Sequence, residues 1–279
     1  MEKTVLITGA SSGFGFQTAV KCAERGFHVI ATMRNMDKAK AFFSGDIDEE
    51  ITRRIEVWPL DVTDSFSLFE FENRVQQTER IDILVNNAGY ALGGFVEQVP
   101  IEAYRRQFET NLFGVIRVTQ AVLPVMRRQR SGKIMNVSSV SGLIGFPGLS
   151  AYVASKHALE GFSESLRLEM KPFGIDVALI EPGSYQTNIW SSGMELPEEA
   201  QNPDSPYADY MKDLWKAMQQ GKRSDPGDVS RLMTKLAGKD HLSRLRYPIG
   251  PGVRFNIILK RVLPWAWLEK LILSQIRSS

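Results

Sequence analysis

The chain has 279 residues, 43% hydrophobic and 24% charged, which are the proportions of a globular protein and exclude disorder or coiled coil. Its 34 Lys and Arg against 32 Asp and Glu give a formal net charge of +2, too balanced to make nucleic acid the main partner. One cysteine, Cys22, excludes an internal disulfide framework, and with His28, His157 and His241 scattered there is no local metal motif, so no metal is expected.

Short apolar runs alternate with helical patterns along the chain. Strands are expected at Val5-Leu6-Ile7, Val29–Thr32, Ile55–Trp58, Ile83–Val85, Lys133–Val137 and Ile175–Ile180, with a weaker one at Arg246–Ile249. Several are almost continuously apolar, as strands covered on both faces must be. Helical patterns fill 13–25, 36–43, 65–79, 101–129, 152–171, 207–220 and 227–237. This order predicts an α/β fold, a doubly wound parallel sheet of about seven strands with helices on both faces. Length alone allows about two domains at ~150 residues each. The patch 192–206 reads as a linker or a surface loop, and the chain beyond it is too short for its own core, so a single domain over 1–279 is expected. Met1-Glu2-Lys3-Thr4 lacks the form of a secretory signal and no run of ~18 uncharged apolar residues exists, so a cytoplasmic protein is expected.

Thr8-Gly9-Ala10-Ser11-Ser12-Gly13-Phe14-Gly15 comes after the first strand and opens the first helix. Glycines there let a pyrophosphate approach the backbone, where free N–H groups and the helix dipole hold it. The second strand ends Ala31-Thr32-Met33-Arg34. An acid at this end would hold ribose hydroxyls; a guanidinium suits a 2′-phosphate, so NADP(H) is favoured over NAD(H). Tyr152-Val153-Ala154-Ser155-Lys156 sets a phenol and an ammonium one turn apart on one helix face. The lysine charge would lower the phenol's pKa and ready it for proton transfer. Asn136-Val137-Ser138-Ser139 and Asn86-Asn87-Ala88-Gly89 end two buried strands, and Pro182-Gly183 ends another. Asn111 sits inside a long helical pattern, an awkward place for a poor helix former unless its amide is used.

Together these motifs, spread over at least residues 4–188, resemble the short-chain dehydrogenase/reductase family, near the bacterial oxidoreductases related to hydroxysteroid and retinol dehydrogenases. The resemblance implies a Rossmann fold and assigns roles. Tyr152 would be the acid–base catalyst, with Lys156 on the nicotinamide ribose. Ser139, thirteen positions before the tyrosine, would hold the substrate oxygen, leaving Ser138 structural. Asn111 would carry a water in a proton relay. The cofactor would be lined by Gly9, Ser11, Ser12, Gly13, Phe14, Gly15, Arg34, the adenine pair Asp61 and Val62, Asn87, Ala88, Gly89, Tyr152, Lys156, Pro182, Gly183 and Thr187. Many NADP-using members carry a basic residue where this chain has Ser12, so the NADP reading rests on Arg34.

Trp190, Trp215, Trp265 and Trp267 lie beyond the motifs, which points to a small lipophilic carbonyl or alcohol substrate, with 188–226 as a lid. The apolar tail, 250–279, is divided by Pro264. It reads as a pocket or subunit cover, as a peripheral membrane contact through its tryptophans and basic residues, or as core packing. A homodimer or homotetramer through the helices around 101–129 and 152–171 is implied by the resemblance. A catalytically idle NADP-sensing or protein-binding module, and an epimerase or dehydratase using the same Tyr/Lys pair, are the alternatives.

Overall fold

The computed structural model describes residues 2–185, 194–220 and 224–277. In chain order its elements are β1 (Thr4–Ile7), α1 (Gly13–Glu24), β2 (His28–Met33), α2 (Glu49–Thr52), β3 (Ile55–Pro59), α3 (Ser65–Gln77), β4 (Ile83–Asn86), β5 (Ala91–Leu92), α4 (Ile101–Phe108), α5 (Gly114–Gln129), β6 (Gly132–Val137) and α6 (Ser150–Met170). After these come β7 (Ile175–Pro182), β8 (Met194–Glu195), α7 (Glu198–Gln201), α8 (Ala208–Gln220), α9 (Gly227–Ala237), β9 (Arg246–Ile249), α10 (Val253–Val262) and α11 (Trp265–Arg277).

Seven strands form one sheet in the order β3-β2-β1-β4-β6-β7-β9, every pairing parallel. Each crossover returns a helix over the sheet, so both faces are covered and β1, β4, β6 and β7 are buried along their whole length. One core joins Val5, Ile7, Val29 and Val85 to α1 and α9 through Cys22, Val229 and Met233. The other joins Leu6, Leu84, Ile134 and Val177 to α3, α5 and α6 through Phe71, Val122 and Leu166. Alternate residues of each strand thus serve opposite layers. Cys22 is a buried apolar filler, its thiol pushed up to about 11 by burial.

The expected strands all form. The expected helix over 101–129 is interrupted: α4 and α5 are joined by a π-helical turn, Glu109–Phe113, centred on Asn111. Residues 36–42 form a 3₁₀ helix, with Asn35 Oδ1 accepting from Asp37 N. The expected loop 192–206 contains β8, which pairs with β5 beside the main sheet, and α7.

A buried amide network fixes the middle of the sheet. Asn86 and Asn136 are register partners; Asn86 Nδ2 donates to Asn136 Oδ1 at 2.9 Å and to Thr119 Oγ1 at 3.1 Å. Asn136 Nδ2 donates to Ser163 Oγ at 2.8 Å, so two strands and two helices share one polar knot. Asn136→Leu keeps the branched shape of the side chain but removes two of these bonds, and chemical denaturation should show a loss of about 2 kcal/mol.

Candidate active site

The strand order reverses between β1 and β4, and the crevice outside their carboxyl ends is where such sheets hold ligands. Thr8 closes its floor: its Oγ1 accepts from the N–H groups of Asn87 and Ala88, both at 3.0 Å. Gly9 comes next at φ +66°, and a Cβ there would lie 2.8 Å from Ala88 Cα, so only glycine fits between the strand ends. Gly13 at φ +58° opens α1, and a Cβ on it would meet nothing within 4 Å. Ser12, the N-cap residue, makes no side-chain cap bond, and the first turn of α1 holds no acidic residue. The helix start therefore leaves donors and positive dipole for an anion, which fits a dinucleotide's phosphates. Ser11, Phe14 and Gly15 continue this turn; Phe14 meets Tyr185 edge to face at 5.7 Å.

Around the crevice, Arg34 is exposed at the end of β2, and its charge acts on Tyr90. Asp61 Oδ1 accepts from Thr63 N at 2.9 Å and Thr63 Oγ1 at 2.7 Å, a local turn behind β3, while Val62 is buried against Gly114 at the start of α5. Asn87 Nδ2 donates to the carbonyls of Thr8 and Gly9, both at 3.0 Å. Gly89 lies between Asn111 and Lys156: a Cβ on it would be 3.0 Å from Asn111 Oδ1 and 3.9 Å from Lys156 Nζ. Pro182 ends β7, and Gly183 N donates to Ile249 O at 2.9 Å. Thr187 lies outside the described residues.

The helix α6 carries Tyr152 and Lys156 on its buried face. The Tyr152 hydroxyl hydrogen-bonds Ser139, the extended residue that leads into the 3₁₀ turn Val140–Gly142. Ser139 Oγ also accepts from Ser141 N at 3.1 Å. Ser138 turns instead toward Glu160; the two flank Gly142. Lys156 Nζ donates to Val137 O at 2.8 Å and lies 5.8 Å from the centre of the Tyr152 ring. Burial governs both groups. It pushes the Tyr152 phenol up to about 12 against the pull of the Ser139 bond, and draws the Lys156 ammonium down to about 8 against the opposing charge of Glu160.

Asn111 is fully buried in the π turn. Its Nδ2 donates to Tyr90 O at 3.0 Å and Ser155 Oγ at 3.1 Å, and its Oδ1 accepts from Tyr90 N at 3.2 Å. The widened turn points this amide at the loop after β4, a use π bulges often have. Contacts thus join Gly9 to Asn87 and Ala88, Gly89 to Asn111 and Lys156, and Tyr152 to Ser139, while Arg34 and Asp61 follow the ends of β2 and β3. Sequence reasoning passes over Thr8, Ser155 and Tyr185. Ser155 has a readable signal, since it lies inside the Tyr152–Lys156 turn; its hydroxyl donates to Tyr152 O at 2.8 Å. His157 is exposed, with Nδ1 on Val153 O at 2.9 Å.

The model of the short chain dehydrogenase family matches residues 3–195. The chain belongs to the short-chain dehydrogenase/reductase family. This short-chain dehydrogenase is 49% identical over 279 residues to the oxidoreductase YusZ of Bacillus subtilis, covering 99% of each chain. It is 37% identical over 245 residues to retinol dehydrogenase 8 of Bos taurus, covering 85% of this chain and 78% of that one. Its fold matches the structure of ElxO with NADP bound at a TM-score of 0.74 and 28% identity, covering 91% of this chain and 100% of the other. As a member of the family it is an oxidoreductase of alcohol and carbonyl groups that uses a nicotinamide cofactor.

The buried lysine has a measurable consequence. Its folded-state pKa lies below the 10.5 of an ordinary lysine, so the unfolded chain binds the extra proton between about pH 8 and 10.5 and stability rises with pH across that window. Below about pH 8 the full penalty of charging Lys156 is present. Lys156→Met should therefore gain on the order of 2 kcal/mol at pH 7 in denaturant titrations, with the gain shrinking toward pH 10.

Proposed function

We propose that the enzyme is an NADP(H)-dependent reductase of carbonyl groups on lipophilic substrates, with Tyr152 as the proton donor. The observation that carries this reading is the buried Ser139–Tyr152 hydrogen bond beside Lys156, at the mouth of a crevice whose helix start is open to phosphate. A phenol held protonated to about pH 12 supplies the proton that carbonyl reduction consumes. NADPH, when bound, supplies the hydride to the carbonyl carbon. The Tyr152 hydroxyl gives its proton to the carbonyl oxygen, which becomes the alcohol, while Ser139 donates a hydrogen bond to that oxygen. The Lys156 ammonium stabilises the phenolate left behind and orients the ribose. Asn111, beside Gly89 and Lys156, braces the path by which a proton returns.

Arg34 is the residue that selects NADP(H). It is exposed at the end of β2, and among the described residues no carboxylate pairs with it, so its fork is free for a 2′-phosphate. Gly9, Ser11, Ser12, Gly13, Phe14 and Gly15 cradle the pyrophosphate, Asp61 and Val62 flank the adenine, and Asn87, Ala88, Gly89, Pro182, Gly183 and Thr187 line the remainder. The family relative named for retinol supports a lipophilic substrate. Segment 188–226 serves as its lid, all within one domain. The exposed Phe113, at the end of the π turn leading into α5, and Leu168 on α6 favour homo-oligomer contacts through these helices. No helix among the described residues is long and apolar enough to cross a membrane, so any membrane contact of the tail is peripheral.

A panel of aldehydes, ketones, steroids and retinoids followed by NADPH absorbance tests the reaction class; no turnover on any of them overturns it and favours the sensing module. With a substrate in hand, Tyr152→Phe should lower kcat by about 10²–10⁴-fold. Arg34→Ala should weaken NADPH binding by about tenfold or more and leave NADH unchanged, read by nucleotide fluorescence.

A further inference from the structure

Beyond Lys156 the buried face of α6 continues with Glu160 one turn on, and the exposed Glu164 lies one turn further. Glu160 is 4% exposed and Glu181, near the end of β7, is 0% exposed, yet the proposed reaction uses neither. Arg246, the first residue of β9, reaches all three carboxylates: its Nε lies 3.0 Å from Glu160 Oε2 and 3.2 Å from Glu181 Oε1, and Nη2 lies 2.6 Å from Glu164 Oε1. One guanidinium cannot neutralise three carboxylates. Glu160 Oε1 and both Glu181 oxygens are buried and accept no hydrogen bond, Glu181 Oε1 facing Arg246 only as an ion pair. Two ionised carboxylates are acceptors only, so a proton between them supplies the missing donor and removes one charge. Burial and the neighbouring Glu160 favour holding that proton on Glu181, whose carboxyl is pushed up to about 8. Glu160, nearer to Arg246 and with Ser138 beside it, is left as the carboxylate that acts on Lys156.

We propose that Glu160 is a positioning residue for Lys156: paired with Arg246 and sharing one proton with Glu181, it keeps a carboxylate one helical turn beyond the lysine and so sets the pH at which the lysine loses its charge. The groups facing this stripe are Tyr152 and Glu164 on α6, Glu181 on β7, Arg246 on β9 and Arg261 on α10. The inference rests on the role proposed for Lys156, but its test needs no turnover.

The full chain is labelled with [¹³Cε]lysine, and the Lys156 resonance is identified by its loss in Lys156→Met. Its titration is followed by NMR in the wild type, Glu160→Gln and Glu181→Gln. Glu160→Gln should lower the midpoint by about one pH unit, because the carboxylate that favours the ammonium is gone. Glu181→Gln should leave it in place, because the amide donates to Glu160 as the protonated carboxyl does and Glu160 keeps its charge. A merely structural role moves neither midpoint. An unchanged midpoint in Glu160→Gln, or a fall in Glu181→Gln as large as that in Glu160→Gln, overturns the proposal; should Glu160→Gln fail to fold, Glu160→Met, which removes the same charge, decides. If the protein reduces no carbonyl tested, the proposed function falls while the lysine titration still answers this question. Where it does turn over, the alkaline limb of kcat/KM should track the NMR midpoint in each variant.

Discussion

An ammonium group has to stay charged inside the protein while sitting beside a buried phenol. Water would do this at once, but burial works against it, and the chain must supply substitutes. The Val137 carbonyl at 2.8 Å is one. The charge of Glu160 is the other, and that carboxylate is itself buried and needs Arg246 to hold it. Arg246 reaches it only because β9 pairs in parallel with β7, setting Leu179 opposite Arg246 at the sheet edge. The last strand, which contributes no crevice residue, thus supports the centre of the site. The chain after residue 187 therefore reaches the Tyr152–Lys156 helix through Arg246.

The same sheet fixes the other half of the site by sterics. Thr8 ties the end of β1 to the loop after β4 through two N–H bonds, and Gly9 fits because Ala88 stands against it. Any side chain at Gly9 would push these strand ends apart and widen the crevice. The start of α1 and the Tyr152–Lys156 face of α6 consequently stand on elements joined through β1, β4 and β6, which the Asn86–Asn136 pair locks in register. A site built on rigid strands and helix ends keeps its spacing without relying on mobile loops.

The strands are readable in sequence because strands covered on both faces lose their alternation and become continuous apolar runs. The Tyr152–Lys156 turn is readable because a helix puts those two positions on one face. Asn111 stands out as misplaced in a helix, but the π turn that resolves this needs the tertiary contact with Tyr90, which no local pattern contains. Glu160, Glu181 and Arg246 come from three segments far apart in sequence. Each alone reads as a surface charge, and only the sheet order brings them into a buried cluster. The two-residue strands β5 and β8 are invisible for a similar reason, since so short a run carries no period.

The tail shows where composition and position diverge. Its apolar residues suggest cover or core, yet Phe255, Ile258 and Val262 form an outward stripe on α10, and Trp265 and Trp267 are 59% and 69% exposed. Only Val253 and Leu268 among the tail's described side chains are buried; Val253 packs close to Gly183 and α11 lies against α8. Core packing therefore accounts for few of these residues. An amphipathic helix can anchor through one residue per turn and leave its larger apolar side facing out. Here Val253 meets Gly183 just after β7 and α11 lies against α8, so whatever covers the outer face bears on both of these elements.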